Sequence, residues 1–316
     1  MTLQCTRLAP SPTGALHLGN ARTFLVNWLL ARRLGWHILL RIEDLDGPRI
    51  KPHAAEQAME DLRWLGLDWD QGPIMQSVRQ ARYDQAINQL IAKGNAYPCT
   101  CSRSEIELAA SAPHAEDGAA IYPGTCRGRF ATVEDATHQS GRRPAIRFAV
   151  PNQIMLIHDQ LIGDIQFNPV RQLGDFVIAK NDGTAAYQLA VVVDDADSKV
   201  TQVVRGDDLL DSTPRQMLLY QALGLSARIP TYTHLPLVIG PDGRRLAKRH
   251  GDTRLATYRQ RGVPATRVLQ LLAGWCGIQS DPTLSHPADC IDRFSLSSLP
   301  RHPIVYDPVH DPLLKD

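Results

Sequence analysis

Alternating strand-like and helix-like periodicity, broken once by a stretch with no period, constrains this chain more than any other feature. Residues 3–8 read as a short strand, and Pro10-Ser11-Pro12-Thr13-Gly14 must be a loop because proline donates no backbone hydrogen bond. Ala21, Phe24, Leu25, Trp28 and Leu29 then recur at helical spacing up to Gly35. Residues 37–42 are an apolar run of strand length, and Ala55, Ala58, Met59, Leu62 and Leu65 form a second helical face closed by Gly66. A third helix is expected over about 77–93. Between Tyr97 and Phe130 the periodicity disappears. Strand-like runs resume at 145–150, 176–180, 190–193 and 200–204, the last three rich in β-branched residues. Thr213-Pro214-Arg215-Gln216 offers an N-cap, a proline at the first helical position and Gln at the third, which predicts a helix to about Leu223. Residues 255–277 read as helical, and beyond Asp281 frequent prolines leave no clear element. The order implies an α/β fold, a doubly wound parallel sheet of Rossmann type split by an inserted module.

At about 150 residues per domain, 316 residues allow roughly two domains and a sizeable core. With 43% hydrophobic and 21% charged residues, the chain is globular rather than disordered. The net charge is only +1, so a nucleic-acid partner has to be held by a local basic patch. One such patch spans residues 244–261, with seven Lys/Arg against Asp252 alone. Arg244, Arg245 and Arg249 suit ATP or an RNA backbone, whereas Arg254, Arg259 and Arg261 read as readily as a solvated helix face. The N-terminus lacks a basic region followed by an apolar one, and no stretch reaches the ~18 apolar residues that span a bilayer. A cytoplasmic monomer without membrane attachment is expected.

Parallel sheets of this kind bind ligands at the carboxyl ends of their strands, which singles out the loop over residues 10–19. There His17-Leu18-Gly19-Asn20 opens a helix whose first turn would offer unpaired N–H groups and a positive dipole end to a phosphate. Gly19 would let a ligand approach the backbone, and His17 can donate to a phosphoryl oxygen. A second constellation involves sulfur. Cys99, Cys101 and Cys126 cluster while Cys5, Cys276 and Cys290 scatter, and six cysteines are too few for a disulfide framework. Three thiolates and Tyr122 would complete a closed, structural zinc shell. Three buried free thiols fit the spacing nearly as well, because C-x-C is tight for a zinc knuckle and a phenol of pKa about 10 rarely ligates zinc.

Several motifs in a fixed order resemble the class I glutamyl-tRNA synthetase group. They are Arg7-Leu8-Ala9-Pro10-Ser11-Pro12-Thr13-Gly14 leading to His17-Leu18-Gly19, then Arg41-Ile42-Glu43-Asp44, Val204-Arg205-Gly206-Asp207-Asp208, and Arg245-Leu246-Ala247-Lys248-Arg249, similar to the KMSKS signature. The resemblance covers about residues 7–250. Two departures stand out: Ala247 replaces the usual Ser of KMSKS, and Asn20 stands where the HIGH motif has its second His. The residues themselves agree with the activation of glutamate, a ligand with two carboxylates and one ammonium. Arg7 and Arg205 can hold the side-chain carboxylate, Tyr187 can add a hydroxyl, and Glu43 can pair with the α-ammonium. Taken alone, Glu43 with Arg41 reads equally as a solvated strand-end ion pair, and Tyr187 as core packing. The resemblance adds Ala9 and Ser11 to the glutamate site. Lys248, His17 and the helix start at Gly19 and Asn20 are the candidates for ATP and, with Mg²⁺ brought on the nucleotide, for stabilising charge in the transition state.

Cys99-x-Cys101 with Tyr122-x-x-x-Cys126 resembles the zinc pattern of one branch, the glutamyl-queuosine tRNA(Asp) synthetases, and makes one structural Zn²⁺ the favoured expectation. The expected units are then 1–98, the first half of the catalytic domain; 99–170, the inserted zinc module; 171–252, the second half with the KMSKS-like loop; and 253–316, a short helical stem-contact-like region with an irregular tail. The stretch after Asp252 is short for a helical anticodon-binding domain, as in that branch. The resemblance implies ATP, L-glutamate and queuosine-containing tRNA(Asp) as partners. Two alternatives remain open: a shortened glutamyl-tRNA synthetase that charges a tRNA 3′ end, and an inactive, zinc-stabilised RNA-binding paralogue.

Overall fold

Strand β1 (Cys5–Leu8) leads through the proline loop into helix α1 (Leu18–Leu34), which Gly35 ends in the left-handed region at φ 67°. The structure is a computed structural model that describes residues 3–47, 50–110, 121–244, 246, 252–307 and 313. The chain continues as β2 (His37–Ile42), α2 (Ala54–Trp64), β3 (Gln71–Met75), α3 (Gln80–Ala92), β4 (Ala96–Cys99), α4 (Arg103–Ala110) and α5 (Val133–Ser140). There follow β5 (Ala145–Phe148), β6 (Met155–Asp159), β7 (Gly163–Phe167), α6 (Pro169–Gln172), β8 (Phe176–Ala179), α7 (Tyr187–Asp197) and β9 (Gln202–Gly206). The rest comprises α8 (Ser212–Ala222), β10 (Thr231–Leu235), β11 (Val238–Ile239), α9 (Leu255–Gln260), α10 (Ala265–Trp275) and β12 (Ile304–Val305).

Strands β1, β2 and β3 pair in parallel, as do β9, β10 and β6, with β7 added antiparallel at the edge. The two ladders abut where the Thr201 N–H donates to the Cys5 carbonyl at 2.8 Å and the Cys5 N–H donates to Thr201 Oγ1 at 2.9 Å. Apolar side chains collect on both faces. One core joins Leu25 and Leu29 of α1 to Val268 and Leu272 of α10; the other joins Tyr83 of α3 to Leu189 of α7 and Leu219 of α8. This is the doubly wound α/β arrangement expected from the alternation. Buried Arg22 ties one layer together, donating to the Pro236 carbonyl at 2.6 Å and to the Trp275 carbonyl at 3.1 Å.

Several expectations need correction. Residues 190–193 lie inside α7, not in a strand; the helix is buried from Leu189 to Ala196, so the apolar run lost its helical period. Residues 145–150 and 176–180 do contain strands, but β5 and β8 pair antiparallel with each other, and β4 joins β5 to make a separate sheet. Thr213 is not an N-cap: α8 starts one residue earlier, and the Thr213 hydroxyl serves Arg205 instead. The helix over 255–277 is two helices, divided at Gly262 (φ 74°) and Pro264. The aperiodic stretch carries α4, and β4 and β8 draw the antiparallel sheet from outside the limits 99 and 170, while β6 and β7 inside them belong with β10. The C-terminal region is helical to Trp275; past it β12 returns to pair in parallel with β11, Val238 opposite Ile304. No described helix is long and apolar enough to cross a membrane.

Candidate active site

The carboxyl ends of β1, β2 and β9 face the N-termini of α1 and α7 across a cleft. Its inner part, about 870 Å³ and partly open to solvent, is lined by Arg7, Ala9, His17, Gly19, Asn20, Glu43, Tyr187 and Arg205. The outer part shares Ala9, His17, Asn20, Glu43 and Tyr187 and adds Ser11. The described residues nominated for glutamate, and those at the start of α1 nominated for ATP, therefore line one continuous surface, whereas Arg244 does not line it. Lys248, with Arg245, Ala247 and Arg249, lies outside the described residues.

Arg41 is fully buried between two carboxylates: Nη2 donates to Glu43 Oε1 at 2.9 Å, and Nη1 donates to Asp195. Burial opposes this charge, but Asp195 and Glu43 outweigh it and hold the guanidinium well above its ordinary pKa. Nε of Arg7 lies 3.6 Å from the same Asp195, and its Nη1 donates to the Val204 carbonyl at 3.4 Å. Two cations and two carboxylates thus form one buried, neutral group. The Arg41–Glu43 pair is not the solvated strand-end contact that the sequence alone allowed. Burial and the nearby Glu43 carboxylate push Tyr187 above the ordinary phenol pKa, which keeps its hydroxyl a neutral donor at working pH.

Arg205 is oriented differently. It sits opposite His234 in the parallel ladder of β9 and β10, so both side chains share a face. Its Nε donates to His234 Nε2 at 3.0 Å, Nη1 to Gln216 Oε1 at 2.9 Å and Nη2 to Thr213 Oγ1 at 2.7 Å. His234 Nδ1 in turn meets Asp159 Oδ2 at 2.7 Å. Burial lowers the His234 pKa; the bond to Asp159 opposes this and the Arg205 cation adds to it. Sequence reasoning missed Asp159, Asp195, Thr213, Gln216 and His234. The one visible signal was Asp194-Asp195 interrupting an apolar run.

At the start of α1 the expectation of unpaired N–H groups fails. The Leu18 N–H donates to the Thr253 carbonyl at 3.0 Å, those of Gly19 and Asn20 to His17 Nδ1 at 3.1 and 3.4 Å, and that of Ala21 to the His17 carbonyl at 3.0 Å. Asn20 completes a capping box by accepting from the His17 N–H at 3.3 Å. Because Nδ1 accepts twice, the ring proton sits on Nε2. A phosphate here would meet the helix dipole and side-chain donors rather than orphan amides. A Cβ at Gly19 would lie 3.0 Å from the His17 ring and press on this cap. His17→Ala is expected to cost about 1 kcal/mol of stability, typical of a lost cap, as a lowered denaturation midpoint.

The thiol cluster forms a second centre. The sulfurs of Cys99, Cys101 and Cys126 all lie within 4.8 Å of one another, and Cys101 and Cys126 are 3.4 Å apart. Sulfurs around a tetrahedral zinc with Zn–S of about 2.3 Å would be about 3.8 Å apart, so the donors fit such an ion. The Tyr122 hydroxyl completes the set at 3.3 Å from Cys99 and 3.6 Å from Cys101. Arg147 brings a cation, with Nε donating to Cys99 at 3.3 Å and its guanidinium 3.9 Å from the Tyr122 ring centroid. Burial opposes ionisation of Cys126, but bonds from Tyr122 and the Thr100 backbone lower its pKa below the ordinary thiol value.

Residues 5–288 match the family model described as "tRNA synthetases class I (E and Q), catalytic domain". A relative from Symbiobacterium thermophilum named "Glutamyl-Q tRNA(Asp) synthetase" is 49% identical over 310 residues, covering 95% of both chains. Another of that name, from Rhodopirellula baltica, is 47% identical over 327 residues, covering 97% of this chain and 98% of its own. Among solved structures, a glutamate tRNA ligase from Elizabethkingia meningosepticum in complex with its amino acid superposes with a TM-score of 0.80 at 29% identity, over 97% of this chain and 67% of that one. The chain therefore belongs to the class I tRNA synthetases for glutamate and glutamine, and within that ligase family to the glutamyl-Q tRNA(Asp) synthetase branch.

Proposed function

We propose that the protein joins L-glutamate to ATP without RNA, giving glutamyl-adenylate and pyrophosphate, and then passes the glutamyl group to queuosine in the anticodon loop of tRNA(Asp). The observation that carries this reading is the convergence of Arg7, Arg205, Tyr187 and Glu43 on one cleft beside the start of α1. The names of the relatives supply the acceptor. Arg205 and Arg7 receive the side-chain carboxylate through their remaining N–H groups, Tyr187 donates its hydroxyl, and Glu43 takes the α-ammonium. Ala9 and Ser11 line the same site. That leaves the α-carboxylate to attack the α-phosphorus of ATP, forming a C–O–P link as the bond to pyrophosphate breaks. His17, Gly19 and Asn20 position the phosphates, and Lys248 balances the charge that builds on them. Mg²⁺ arrives as part of the nucleotide substrate. A queuosine hydroxyl then attacks the activated carbonyl and AMP leaves.

Purified protein with ATP and glutamate is expected to exchange pyrophosphate in the absence of RNA. Labelled glutamate should appear on queuosine-containing tRNA(Asp) and not on the same RNA lacking queuosine. Label on the 3′ end of tRNA(Glu) would replace this reading with that of an ordinary charging enzyme, and no exchange at all would leave an inactive paralogue.

Cys99, Cys101, Cys126 and Tyr122 are proposed to hold one structural Zn²⁺, which would link β4 to the loop that follows it. Metal analysis of protein purified under reducing conditions should find about one zinc per chain, and Cys126→Ser should lose it together with thermal stability. A wild-type protein free of zinc would remove this assignment and leave the activation chemistry intact.

A further inference from the structure

Arg205 differs from the other described cations of the cleft in the partners it keeps. Arg7 and Arg41 share Asp195, Arg41 also holds Glu43, and Lys180 farther out pairs with Asp46 at 2.9 Å. Arg205 makes no ion pair among the described residues. Its three acceptors, Thr213, Gln216 and His234, are all neutral, and each is at most 2% exposed. His234 stays neutral by geometry, because Nε2 must be bare to accept from Arg205 while Nδ1 carries the proton toward Asp159. A guanidinium has five N–H donors, so three internal bonds fix its orientation and leave two donors for a ligand. No described carboxylate touches the guanidinium.

We propose that this neutral cradle, and Gln216 in particular, is the specificity determinant that makes the cleft accept an acid and refuse the corresponding amide. The inference rests on the reading that Arg205 receives the glutamate side chain. A carboxylate at position 216 would orient Arg205 equally well, yet it would cancel the charge that an incoming carboxylate needs. With neutral acceptors, an amide side chain entering the site gains hydrogen bonds but no charge pairing, and an acid gains both. Selectivity is thus set by what surrounds the arginine as much as by the arginine.

The test compares wild type, Gln216→Glu and Gln216→Met in ATP–pyrophosphate exchange driven by glutamate and by glutamine, with the KM for ATP and the thermal midpoint measured alongside. Gln216→Glu should lower the glutamate-to-glutamine ratio of kcat/KM by at least ~30-fold, the scale of a close charge pair, with the KM for ATP unchanged. Gln216→Met should raise the KM for glutamate several-fold and keep the ratio within about threefold, because it removes an acceptor without adding charge. Wild-type discrimination in Gln216→Glu, or loss of discrimination in Gln216→Met as complete as in Gln216→Glu, overturns the proposal. If Gln216→Glu does not fold, Thr213→Asp places a carboxylate on the other arm of the guanidinium, with the same expected and overturning results. Absence of glutamate-driven exchange in the wild type overturns instead the reading on which the cradle rests.

Discussion

Arg205→Leu is expected to lower kcat/KM for glutamate-driven pyrophosphate exchange by about 30-fold to a few thousand-fold. The range corresponds to ~2–5 kcal/mol, the usual cost of truncating one partner of a buried, hydrogen-bonded charge pair. The substitution removes a cleft cation that makes no ion pair among the described residues and is held by neutral acceptors alone. It also leaves the buried Gln216 Oε1 without its donor, while Thr213 Oγ1 and His234 Nε2, 3.1 Å apart, can still pair, so some loss of stability accompanies the loss of activity. The two are separated by assaying well below the denaturation midpoint and by Arg205→Lys. Lysine restores the charge but not the fork that reaches Thr213, Gln216 and His234 together, so its activity should lie between the two. An Arg205→Leu enzyme within threefold of wild type would show that the glutamate side chain is held elsewhere.

Asp195→Ala should be the most destabilising single change at the site, at about 3–5 kcal/mol. Asp195 is 2% exposed and is the carboxylate shared by Arg7 and Arg41, so its removal leaves two buried guanidinium groups with Glu43 as their one remaining ion-pair partner among the described residues. At roughly 2–4 °C per kcal/mol for a chain of this order of size, the thermal midpoint should fall by about ten degrees. Arg142→Ala is the matching control, since both Arg142 and its partner Glu105 are about half exposed and the midpoint should not move. Equal midpoints for Asp195→Ala and wild type would mean that Arg7 and Arg41 find other counter-charges.

Parts of the fold and site differed sharply in how legible they were. Helix α1 was readable because its large apolar side chains recur at helical spacing and a glycine ends it, and strand β2 because it is an unbroken apolar run of strand length, buried from Ile38 to Ile42. Helix α7 was misread because burial all round erased its period. Strand β3 escaped notice because it is an edge strand containing Pro73, largely exposed, and carries no alternation. Residues that line the cleft, such as Arg7 and Glu43, sit in contiguous motifs and could be named from those motifs and from their charge. The cradle could not: Arg205 and His234 are 29 positions apart and meet only through the register of β9 and β10. Thr213 and Gln216 resembled ordinary capping residues, and nothing local distinguishes a hydroxyl that caps a helix from one that holds an arginine.

The β11–β12 pairing carries a temporal consequence. Strand β11 is held by a strand 66 positions downstream of it. Thr253 is fastened to the beginning of α1. At the ~5–20 residues per second of translation, the first of these moorings is missing for roughly 3–13 s after β11 is made. A nascent chain would thus complete the strands from β1 to β10, and with them the residues that line the cleft, before β11 gains its partner strand.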